Sequence, residues 1–79
     1  MTNFQKLVQE LQNEKVPCNV KLFKTGDISI ECGWHYPDEM FIQVDDIAEK
    51  LGIEVDVCAE VSGGVIESQQ RVAGGPRRY

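Results

Sequence analysis

The sequence predicts an α+β domain of two layers in the order αββαββ, with a four-stranded antiparallel sheet and two helices on one of its faces. Three observations predict it. Phe4, Leu7, Val8 and Leu11, and again Met40, Phe41, Val44, Ile47, Ala48 and Leu51, recur at helical spacing. Val20, Leu22, Ile28 and Ile30, and later Val55, Val57, Ala59 and Val61, alternate with polar residues at the period of a strand. The order helix–strand–strand occurs twice, and a shift of 37 positions sets Phe4 on Phe41, Leu7 on Val44 and Gly26 on Gly63. With 79 residues there is room for one domain with a thin core.

The first helix is expected over residues 2–15. Thr2 and Gln5 have the spacing of a capping box, which satisfies free N–H groups at a helix start, and Pro17 closes the segment. A hairpin follows over residues 18–32. Val20, Leu22, Ile28 and Ile30 share a face only if paired residue numbers have an even sum. A register of Leu22 with Ile28 and Val20 with Ile30 leaves a three-residue loop with Gly26 at its left-handed position. The same register sets Cys18 opposite Cys32 on the core face.

Residues 33–38 form a loop holding Trp34, His35 and Tyr36. The second helix is expected over residues 38–51, with Pro37, Asp38 and Glu39 suited to its start and Gly52 to its end. A short strand over residues 40–44 with Asp45 or Asp46 capping a shorter helix is the alternative. The last unit is expected to be a second hairpin turning at Gly63-Gly64, which pairs Val61 with Ile66, Ala59 with Ser68 and Val55 with Val72. The domain then covers residues 1–72, and residues 73–79 are a flexible basic tail.

Charge narrows the function. The net charge is −5, but the five lysines before residue 71 face thirteen acids, a net −8, and Arg71, Arg77 and Arg78 follow at the end. An acidic body repels phosphates, so direct nucleic-acid binding is disfavoured and a basic protein surface is the natural partner. No stretch approaches the ~20 apolar residues of a membrane helix. No basic start precedes an apolar run, and an odd number of cysteines fits reduced thiols, so a cytoplasmic location without membrane association is expected.

In the second hairpin register Asp56 opposes Arg71 and Glu60 opposes Glu67 across the solvent face. Glu54, Asp56 and Glu60 are spaced ~7 Å apart per alternate residue, apart from Cys58. Two facing glutamates cost stability unless a cation covers them, so these four acids form the candidate docking stripe, the bland alternative being a solvated strand face. Trp34 and Tyr36, of types enriched in binding hot spots, join it unless Trp34 folds over the core end. Phe23, on the exposed sheet face, completes the partner-binding set.

Catalysis finds no support: no glycine-rich phosphate loop lies between strand and helix, and Ser29, Ser62 and Ser68 have no readable histidine partner. Cys32 and His35 have the spacing of half a zinc site, but strand parity turns Cys58 away from Cys18 and Cys32, so no metal or other cofactor is assigned. Residues 44–53 resemble the first helix and turn of a helix-turn-helix, but the period-two segment after them leaves no recognition helix.

In size, charge and layout the chain resembles the small acidic inhibitors that phages and other mobile elements encode against host nucleic-acid machinery, anti-CRISPR proteins among them. That resemblance implies a non-enzymatic module, imitating phosphate charge, that occludes a basic site on a larger protein. Two alternatives are a nucleic-acid-binding accessory using the arginine-rich tail with Phe23 as a stacking platform, and an assembly subunit that forms a homodimer through a sheet edge.

Overall fold

A computed structural model describes residues 1–35 and 37–75. Its first helix, α1, covers Asn3–Asn13. Thr2 caps it. The Thr2 hydroxyl accepts from the Gln5 N–H at 3.1 Å, and the Gln5 side chain accepts from the Thr2 N–H at 2.9 Å. The helix ends before Pro17 through Lys15, which turns left-handed (φ 56°) while the Val16 N–H reaches back to the Leu11 carbonyl.

β1 (Cys18–Phe23) and β2 (Ile28–Glu31) form the first hairpin in the expected register, Val20 opposite Ile30 and Leu22 opposite Ile28. Gly26 takes a φ of 94° in its loop, and the Phe23 N–H closes the turn on the Asp27 carbonyl at 2.9 Å. The second helix, α2, spans Asp38–Leu51 and ends on left-handed Gly52, so the long helix forms and the short strand does not.

The second half departs from the expected hairpin. β3 (Asp56–Cys58) pairs parallel to β2, with Val57 beside Ile30, and β4 (Ile66–Val72) pairs antiparallel to β1, with Val72 opposite Cys18. The sheet is therefore mixed rather than antiparallel, in the order β3-β2-β1-β4, and β3 and β4 lie at opposite edges. Val61 does not pair with Ile66, nor Val55 with Val72. The physical reason is the crossover. α2 carries the chain back along β2, as a parallel neighbour requires, and β3 fills the free side of β2. Of the two sides then open, those of β1 and of the three-residue β3, β4 takes the longer, beside β1.

The link from β3 to β4 crosses the sheet face opposite the core. The Val61 N–H donates to Glu31 Oε2 at 2.8 Å, and the Lys24 N–H to the Val65 carbonyl at 2.9 Å. Gly64 passes directly over the Phe23 ring, where a Cβ would come within 2.6 Å of a ring carbon, and its φ is 78°. Only glycine fits that position, so Gly63-Gly64 marks a crossing and not a two-residue hairpin turn. The face expected to stand open is thus partly covered, and Asn19 and Ser29 on it are buried.

The buried residues of α1 (Leu7, Leu11) and α2 (Val44, Ile47, Ala48) join Val20, Ile30 and Val72 of the sheet in one apolar cluster. The end of β4 runs into a turn rather than directly into a tail. The Gly75 N–H donates to the Val72 carbonyl at 2.9 Å, and the Arg71 guanidinium to the Gly74 carbonyl at 2.6 Å. Residues 76–79 of the expected tail, with Arg77 and Arg78, lie outside the described residues. Among the described residues no helix is long and apolar enough to cross a membrane.

Candidate partner-binding site

The strand pairing breaks up the expected docking stripe. Glu54 and Asp56 stand exposed at the β3 edge, whereas Glu67 stands exposed on β4 at the far edge. Asp56 is aligned with Ser29, and Arg71 with Asn19, so Asp56 and Arg71 do not oppose each other. Glu60 does not face Glu67. It lies in the crossing segment, where its Oε2 accepts from the Trp34 indole N–H at 3.0 Å. Trp34 does not fold over the core: it is 73% exposed, in the turn that leads into α2. Among the described residues of the expected set, the fold thus brings Trp34 and Glu60 together and keeps Glu54 beside Asp56, but separates these from Glu67. Tyr36 lies outside the described residues. Phe23 is half-buried under Gly64 and is no open stacking platform.

Beneath the crossing segment lies a polar layer. Lys21 Nζ and Glu31 Oε2 approach to 3.4 Å with side chains only 13% and 14% exposed. Glu31 also holds the Val61 N–H, so one carboxylate neutralises a shielded ammonium and ties the crossing down. Asn19 Nδ2 donates to Gln69 Oε1 at 3.3 Å in the same layer, while Asn19 Oδ1 has no hydrogen-bond partner among the described residues.

The three cysteines are free thiols. Cys18 and Cys32 are buried on the core side, and Cys58, aligned with Glu31, is on the other face, as strand parity requires. Burial pushes the Cys18 thiol up from 9.0 to about 12. Burial does the same to Cys32, helped by Cys18, Cys58 and Glu31, again to about 12. Burial also raises Cys58, with the charges of Glu31 and Asp56 adding and that of Lys21 opposing. A nucleophilic cysteine needs the reverse shift. Among the described residues no three His, Cys, Asp or Glu side chains gather to hold a metal ion.

Two outcomes follow for the thiols. A disulfide-exchange reagent at pH 8 is expected to modify Cys58 first, and Cys18 and Cys32 only as the fold opens; equal rates at all three would contradict their burial. Stability is expected to fall as pH rises from about 9 toward 12. There the unfolded chain releases protons that folded Cys18 and Cys32 still hold, so the unfolding free energy has a negative slope. Urea titrations of the wild type and of Cys18→Ala/Cys32→Ala at pH 8 and 10.5 measure it, the variant showing the smaller loss.

The surface that sequence reasoning missed is the outer side of α2. Asp38, Glu39, Ile42, Asp45, Asp46 and Glu49 are all exposed there, and Lys50 is the only base on the helix. Asp38, Ile42, Asp45, Asp46 and Glu49 fall at intervals that set them along one side. Ile42 stands 62% exposed in their midst, in a shallow depression that Glu14 borders from the end of α1. Asp38 and Glu39 suit the positive end of the helix dipole. Asp45 and Glu49 do not aid the helix: they form a like-charged pair one turn apart, and Glu49 sits toward the negative end. The signal in the sequence is that pair of acids in the second half of a helix whose other side is apolar. Comparison of the chain with protein-family models, with curated proteins and with solved structures finds no match.

Proposed function

We propose that this chain is a non-enzymatic, cytoplasmic binding module that covers a basic, nucleic-acid-binding surface on a larger protein, as phage-encoded inhibitors do. The observation that carries the reading is the outer side of α2. On the two-layer arrangement, with both helices against the Val20 and Ile30 face of the sheet, that side points away from the core. Its five carboxylates span ~17 Å from Asp38 to Glu49, at 1.5 Å of rise per residue. Successive charges are on average ~4 Å apart along the axis, grouped as a pair at the start and three in the second half with ~9 Å between, a charge density of the same order as that of one DNA strand. Ile42 supplies the apolar contact that charge alone lacks, and Trp34, held by Glu60 in the turn before α2, supplies an aromatic one.

The test is recovery of a partner from host lysate, with and without nuclease, across a salt series, using the wild type and Asp45→Lys/Asp46→Lys/Glu49→Lys. A stoichiometric protein that survives nuclease, dissociates with salt and is displaced by duplex DNA is expected. The triple reversal is expected to weaken its binding at least 100-fold, and Asp27→Lys, exposed in the β1–β2 loop, to leave it unchanged. Binding indifferent to the triple reversal refutes the α2 surface, and recovery that requires nucleic acid refutes occlusion.

A further inference from the structure

The two edges of the sheet differ. β3 is three residues long, and β4 is seven. β4 contains no proline and no lysine, the usual guards of an exposed edge; its one bulge is at Glu67, which falls between Ser68 opposite Leu22 and Ile66 opposite Phe23 and has no partner of its own on β1. Among the described residues its only strand neighbour is β1.

The backbone directions along β4 follow from its ladder. The Phe23 N–H bonds to Asp27 on the β2 side, and the Lys24 N–H to Val65 on the β4 side. Alternation then turns Leu22 and Val20 toward β4, and their partners Ser68 and Gln70 turn inward to meet them. Gln69 and Arg71 present their N–H and C=O groups outward, at the free edge.

We propose that this edge joins two copies of the chain, with β4 paired antiparallel to β4 of the second copy about a twofold axis at Gln69. The observation that selects the occupant is charge. In that register Glu67 of each copy stands opposite Arg71 of the other, Gln69 opposite Gln69, and Ile66 opposite Val72. Centring one residue later sets Glu67 against Ala73, and one residue earlier sets Arg71 against Val65, so neither joins the charges. A parallel pairing in register sets like against like. Within one copy Glu67 makes no ion pair among the described residues. The outward groups of Gln69 are those a hydrogen-bonded pair at the axis uses. Beside the strand, Met1, Phe4, Val8 and Gln70 line an open cleft of about 540 Å³, and the axis sets this cleft next to that of the second copy. This edge lies apart from the acidic surface, because α2 packs on α1 and on β3, at the opposite edge of the sheet from β4.

Sedimentation velocity across a concentration series tests it. The wild type is expected to sediment at twice its 8.9 kDa. Glu67→Arg and Arg71→Glu are each expected to raise the dimer dissociation constant at least tenfold, and the double swap Glu67→Arg/Arg71→Glu to restore it. Gln69→Pro, which removes an outward N–H, is expected to give a monomer, with circular dichroism confirming that each variant is folded. A wild type that stays monomeric up to about 1 mM overturns the proposal. So does a dimer that persists in Glu67→Arg and Gln69→Pro, or a folded double swap that fails to restore it.

Discussion

Glu31→Ala is expected to lower the free energy of unfolding by about 3 kcal/mol, a large effect for one polar side chain. Two losses add. Lys21 Nζ stays beneath the crossing segment, its side chain only 13% exposed, with the Glu31 carboxylate gone. The Val61 N–H loses the carboxylate that it meets at 2.8 Å, and with it the crossing loses its mid-span attachment. The full cost of breaking a buried pair is about 3–5 kcal/mol, and the residual exposure of both side chains holds the estimate at the lower end. The double variant Lys21→Met/Glu31→Leu removes both charges and fills the same space. Its expected cost is about 1 kcal/mol, that of the unbonded Val61 N–H. Urea unfolding of Lys21→Met, Glu31→Leu and the double variant closes the cycle. A double variant as damaged as Glu31→Ala would show that the charges do not act as a pair.

What is legible in this sequence is what local chemistry determines. The Thr2–Gln5 box, the Gly26 loop, the span of α2 and its Gly52 end need only neighbouring residues, and each forms as expected. The β1–β2 register is legible because one parity sets four apolar residues on one face and the other splits them between the two faces. That register also makes Lys21 and Glu31 diagonal neighbours, so their ion pair was open to the same reasoning.

The pairing of β4 is different in kind. A glycine pair signals positive φ, and both a hairpin turn and a backbone crossing over Phe23 require it. Which strand β4 joins depends on where α2 returns the chain, and no residue within β4 records that. The docking stripe failed with the pairing, since Glu60 and Glu67 shared a surface only in the hairpin. The α2 surface is independent of strand order. It rests on helix bounds and exposure, which the apolar stripe of that helix already implies.

Ile30→Ala is expected to cost about 4 kcal/mol, near the top of the range for such truncations. Ile30 has no exposed surface and lies in an interior strand between Val20 on one side and Val57 on the other. Both neighbours are held by backbone ladders, so the site has little freedom to collapse around the lost atoms. A chain of this size has roughly 4–12 kcal/mol of stability in all, so the variant stands close to unfolding at physiological temperature. Ile30→Val, which removes one methylene, is expected to cost about 1 kcal/mol. Ile42→Ala makes the same chemical change at the outer side of α2, and there the expected cost to stability is under about 0.5 kcal/mol. The contrast separates two uses of one residue type. If Ile42 serves the core, thermal unfolding will show it. If it serves a partner, Ile42→Ala keeps the wild-type midpoint and loses affinity, and a site of that behaviour is one that folding does not explain.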